Sequence, residues 1–177
     1  VGSGNGKANR DTVKGIIEFV HGANHSLHAE SETAEVHGPA RGDFDVGIAN
    51  ILGVMDADTL TQTLDADAAG AIVGALTGDN LESLGADQAA GIVSTMDAGQ
   101  IVELTSDQAN GMAVAISDDP SQMVQMESDS VAAIAATMDA SDLGVLGSEM
   151  VGTMVASMDQ DQVQEMSPEH MAEALDT

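Results

Sequence analysis

The chain reads as an all-α protein: a solenoid of about six short two-helix repeats of roughly 20 residues, preceded by an extended arm and one amphipathic helix. Two patterns predict it. The last large apolar residue of each unit, Met55, Leu76, Met96, Ile116, Met138 and Met158, recurs at intervals of 21, 20, 20, 22 and 20 residues. A fixed period in this range marks stacked supersecondary units, each too small to bury its own apolar face. Within each unit the apolar residues keep helical spacing, first as a pair and then as a longer stripe.

Residues 1–10, VGSGNGKANR, are polar and glycine-rich and read as a disordered or partner-draped arm. Residues 11–30 follow as an amphipathic helix, with Asp11 or Thr12 as its cap and Val13, Ile16, Ile17, Val20 and Leu27 on one stripe. On the flank of that stripe stand His21, His25 and His28, with Glu32 one turn further. Offsets of four and three make them stacked neighbours on a helix, a half-site suited to zinc or copper. His37 is a further ligand if the chain folds back. The same histidines also fit a polar flank, a pH-responsive contact or groups held against a partner's haem or pigment. Gly15, Gly22 and Lys14 weigh against the metal site.

Residues 31–45 read as a linker, with Pro39 and Gly42 breaking any helix. Residues 46–177 form the acidic repeat domain. Its short segments carry Leu81 and Leu84, Ile101 and Leu104, Met123 and Met126, Leu143 and Leu146, and Val163 and Met166, with Leu60 and Leu64 as a looser pair. The longer segments open with an acid (Asp67, Asp87, Asp107, Asp129, Glu149, Glu169), which suits the positive end of a helix dipole. Asp56, Thr77, Asp97, Ser117, Asp139 and Asp159 follow the closing apolar residues and are expected to cap the next short helix. Gly70, Gly74, Gly91, Gly111, Gly144 and Gly152 fall inside the expected helices. Glycine there costs about 1 kcal/mol against alanine, so they are expected to permit close helix contact.

The units from Leu81 to Asp97 and from Ile101 to Ile116 combine a leucine-type pair, a short acidic turn, an acid followed by alanines, and an apolar helix ending at a large residue. In this they resemble the N-terminal superhelical domain of MgtE-type magnesium transporters, over about two thirds of the chain. The resemblance implies a small superhelix of paired helices and a response to magnesium through surface acids. It assigns no ligand to a numbered position. The family's transporter part needs apolar spans of about 20 residues, and this sequence has none.

The charge distribution bears on partners directly. All four cationic side chains, Lys7, Arg10, Lys14 and Arg41, lie in the first 41 residues, while 25 of the 30 acids lie in residues 42–177. No Lys or Arg salt bridge forms within that region. A surface of one sign repels itself and stays soluble, so it calls for salt screening, bound Ca or Mg, a basic partner or an acidic medium. No EF-hand loop is present. Nucleic acid and anionic membrane are disfavoured as partners.

With only Phe19 and Phe44 as aromatic residues, the core must be built from Ala, Val, Ile, Leu and 11 methionines, adaptable packing material rather than a metal array. Cysteine is absent, which removes disulfides and thiolate chemistry. The start at Val1 fits a processed form, and the composition leans toward an exported location. No nucleophile elbow or phosphate loop appears, and regular repeats lack the distinct loops on which active sites depend. The last unit halts just short of its closing apolar residue, so either further protein or another cover is expected over Met171 and Leu175, a partner being the economical reading. The sequence therefore points to a noncatalytic structural or accessory subunit of a larger assembly. The alternatives are a divalent-cation-responsive regulator and a His-based metal-binding protein.

Overall fold

A computed structural model describes residues 41–176, with side chains from residue 47. The arm and the amphipathic helix expected over residues 1–30, with His21, His25, His28 and Glu32, lie outside the described residues. What is described is all-α. Helix α1 (Arg41–Gly53) opens inside the segment expected to be a linker and takes Gly42 into its first turn. Six short–long pairs follow: α2 (Ala57–Thr63) with α3 (Ala66–Ala75), α4 (Gly78–Glu82) with α5 (Ala86–Thr95), and α6 (Ala98–Ile101) with α7 (Ser106–Ser117). Next come a 3-10 helix (Pro120–Gln125) with α8 (Ser128–Thr137), α9 (Ala140–Leu146) with α10 (Ser148–Ser157), and α11 (Gln160–Glu165) with α12 (Pro168–Asp176).

Each boundary has a local cause. Leu76, Met96, Met138 and Met158 leave the helical region for extended backbone and end the long helices, and the residue after each caps the next short one. Asp56 accepts from the Thr59 amide at 2.8 Å, and Thr77 caps α4. Behind Asp97 and Asp159, Gln100 and Gln162 accept from the cap amides at 3.0 and 2.7 Å, the return half of a capping box. Thr105 and Gln108 make the full box at the start of α7. The acids at the start of the long segments occupy the second residue of every long helix.

Ser117 departs from expectation. It is the last residue of α7, with its hydroxyl donating to Val114 O at 2.6 Å, and the cap of the next element is Asp119, two residues on. This is the 22-residue interval, and Pro120 begins the helix that follows. Its ring fixes φ and its missing amide is harmless in a first turn.

The pairs stack mainly by one rule: most helices pack on the third helix after them. Thus α2 lies under α5, α4 under α7, α6 under α8, the 3-10 helix under α10 and α9 under α12. The chain completes one superhelical turn with every three helices, so short and long helices alternate up each of three columns. Because successive turns lie about 30 residues apart, glutamines at the third position of α5 and α7 reach back one turn. Gln88 Nε2 donates to Met55 O at 3.0 Å, and Gln108 Nε2 donates to Val73 O at 3.1 Å and Leu76 O at 2.8 Å. Side-chain donors thereby reach carbonyls at helix ends, where intrahelical partners run out; Val73 O also accepts the Leu76 amide at 3.1 Å.

The closest approach joins α4 and α7. A methyl on Gly111 would overlap the Gly78 carbonyl, and one on Gly78 would overlap the Asp107 carbonyl. Gly91 and Gly70 sit in ordinary or slightly tight contact with α2 and with Gln100, and Gly144 lies under the Glu173 carboxylate. Gly74 and Gly152 face open space, so the close-contact expectation fails for those two.

One continuous core runs from Ile48 to Met158. Both members of the pairs Leu60 and Leu64, Leu81 and Leu84, and Met123 and Met126 are buried; Leu104, Leu146, Val163 and Met166 are half-buried. Nine of the 11 methionines are buried, so they pack the interior. Ser130 is the one buried polar residue among the described residues.

Candidate functional site

Among the described residues the acids stay out of the core. Between Asp56 and Asp176 each carboxylate is exposed except those of Asp142 and Glu173, which are half-buried. Several serve local structure. The Thr59 hydroxyl at 2.8 Å, and then the Thr59 amide, hold the Asp56 carboxyl below the usual value. The Ser121 hydroxyl at 2.6 Å, followed by the Gln122 amide group, does the same for Asp119. Both carboxylates act as acceptors that tie off turns. Among the described residues no group of three or more His, Asp or Glu side chains converges as a metal site, so the surface acids are dispersed along the superhelix.

Among the described residues the structure forms a cleft of about 310 Å³ between α8 and the later pair α11 and α12. Its apolar lining is Ala132, Ala135 and Ala136 of α8 with Met158 and Met166. In stacking order α11 lies over α8, and polar contacts hold that seam: Gln162 Nε2 donates to Asp129 Oδ1 at 2.7 Å, and the Ser128 hydroxyl to Asp159 Oδ2 at 3.4 Å.

The polar rim consists of Gln162, Glu165, Ser167 and His170. His170 is the third residue of α12, the position that Gln88 and Gln108 hold in α5 and α7, and it makes the same contact one turn back. Its Nε2 lies 2.8 Å from Met138 O. A carbonyl only accepts, so Nε2 carries the proton and Nδ1 accepts from the Ser167 hydroxyl at 2.5 Å. Ser167 Oγ in turn accepts the His170 amide at 3.1 Å, which caps α12. His170 is thus a capping side chain with both ring nitrogens engaged. Gln162 is likewise used at both ends, through Asp129 and the Asp159 amide. Glu165 is exposed and, among the described residues, has no hydrogen-bond partner.

The sequence reading did not find this cleft. Its walls come from residues 132–170 on separate turns, and no local motif joins them; the one legible signal was a histidine in a register held elsewhere by glutamine. Of the expected cover over Met171 and Leu175, the structure shows Met171 half-buried and Leu175 81 % exposed. No described helix is long and apolar enough to cross a membrane. Comparisons with protein-family models, with curated proteins and with solved structures returned no match to this chain.

Proposed function

We propose that this protein is a noncatalytic accessory or structural subunit that docks within a larger assembly through the acidic surface of its helical superhelix. The observation that carries the reading is the separation of charge from packing. The apolar residues share one continuous core, every described carboxylate stays at or near the surface, and no Lys or Arg stands among residues 42–177 to neutralise them. A scaffold of stacked units holds those charges at fixed spacing, and a fixed field of one sign steers a partner of the opposite sign. The partner is a protein with a basic face.

Zero-length carbodiimide coupling in a native extract tests this. The chain's only lysines are Lys7 and Lys14, so any other lysine joined to a described Asp or Glu belongs to a partner. The expected result is a small set of such links, lost above about 0.5 M salt as screening shortens the reach of the field. Links confined to Lys7 and Lys14, with the chain migrating as a free monomer, would contradict it.

The divalent-cation reading draws on the same surface charge and on the resemblance to the MgtE-type domain. It requires calcium or magnesium to raise the melting temperature well beyond sodium chloride of matched ionic strength. The histidine reading requires zinc or copper to bind stoichiometrically, and binding to be lost in a His21→Ala, His25→Ala variant.

A further inference from the structure

Resting on the basic-partner reading, we infer that the cleft between α8 and α11 is the anchor point for that partner, receiving one arginine or lysine side chain whose aliphatic stem lies on Ala132, Ala135 and the two thioethers while its cationic head meets Glu165. Every other polar side chain on the rim is committed: Gln162 to Asp129 and Asp159, and His170 to Met138 and Ser167, which completes its own pairing through His170. On this rim Glu165 alone presents a carboxylate, and it has no hydrogen-bond partner among the described residues; beside it stand alanine and methionine.

Apolar walls ending at an anion match the chemistry of a basic side chain, which buries its methylene stem along apolar surface and keeps its head group wet. Arginine anchored in such a recess is a recurrent centre of binding energy at interfaces. Methionine suits the wall because its thioether reshapes around a guest. The surrounding field favours the cation further: Asp129, Asp159, Asp161, Glu169 and Glu173 lie on the elements that frame the cleft, and no Lys or Arg does.

The test uses the full chain with methionine and alanine methyl groups followed by NMR, at about 0.15 M salt, where the Debye length is ~8 Å. The probes are butylguanidinium and butylammonium, with guanidinium and 1-butanol as controls for head and tail alone. The expected result is saturable shifts at Met158, Met166 and Ala135 with both probes, weaker by about tenfold for each control and in Glu165→Gln. Ala136→Leu, which adds bulk from the exposed side, should abolish them. A helical circular-dichroism spectrum shared by both variants excludes unfolding as the cause.

Butanol binding as well as butylguanidinium, no response to Glu165→Gln, or shifts spread over the whole surface would each overturn the proposal. So would tighter binding of free 1,4-butanediamine than of either probe, which would make the site one for small amines. Carbodiimide links to a partner that persist when the probes fail would leave the basic-partner reading standing and remove the cleft alone. Saturable probe binding without any partner link would remove that reading, and the anchor role with it.

Discussion

Gly111 shows how a single residue sets a distance between turns of the superhelix. Its missing side chain lets α7 lie against the Gly78 carbonyl, and a methyl there has only backbone to displace. Gly111→Ala should therefore destabilise by roughly 1–3 kcal/mol in denaturant unfolding, the range for overpacking. Gly152→Ala, inside α10 and facing open space, should instead stabilise by about 0.5–1 kcal/mol, since alanine restricts the unfolded chain and favours helix. The sequence marked both as helix-interior glycines without separating them, because the partner of Gly111 stands 33 residues earlier. Asp56 and Asp119 give a pH test. Hydrogen bonds from Thr59 and Ser121 lower both carboxyls below 3.8. A lowered folded value means stabilisation that is present at neutral pH and lost as the pH falls through that value. The melting-temperature deficit of Asp56→Ala or Asp119→Ala should be present at pH 7 and close below 3.8; a deficit constant across that range would contradict the hydrogen-bond assignment.

At the scale of the element, the side chain at the third position of α5, α7 and α12 acts as a clamp on the turn before. Gln108 reaches three carbonyls of the preceding turn, those of Val73, Gly74 and Leu76. Gln108→Ala should leave Leu76 O without its donor, while Val73 O keeps the Leu76 amide, and cost about 1–3 kcal/mol, read by chemical denaturation against the exposed control Gln125→Ala, which should change little. The helices themselves were legible, because closing residues such as Met96 and pairs such as Leu81 and Leu84 repeat with the unit. Their stacking was not. A period of about 20 residues reports the two-helix unit, whereas contacts follow a three-helix turn, and only the shared register of Gln88, Gln108 and His170 hinted at that longer spacing. The fourth short element was misread at its boundary for a comparable reason: Ser117 has the chemistry of a cap, but the two residues added before Pro120 hand that role to Asp119.

For the molecule as a whole, stability sets a methionine-rich core against a surface of one charge. Self-repulsion of that kind is screened by salt, so the melting temperature should rise steadily between about 0.01 and 0.5 M sodium chloride, as read by circular dichroism at 222 nm. A flat response would mean that repulsion among these carboxylates is negligible. The acidic surface was legible from residue counts alone, since exposure of Asp and Glu is the rule. The cleft was not, because Ala135, Met166 and His170 meet only after the chain has wound one turn. The account depends most on that winding, in which most helices rest on the third one after them. The direct measurement is a set of long-range nuclear Overhauser contacts in the full chain in saline buffer. The predicted result is cross-peaks joining Gly78 with Gly111, Ala57 with Gly91, Gly70 with Gln100 and Gly144 with Glu173; contacts limited to neighbouring helices, with those four pairs absent, would contradict it.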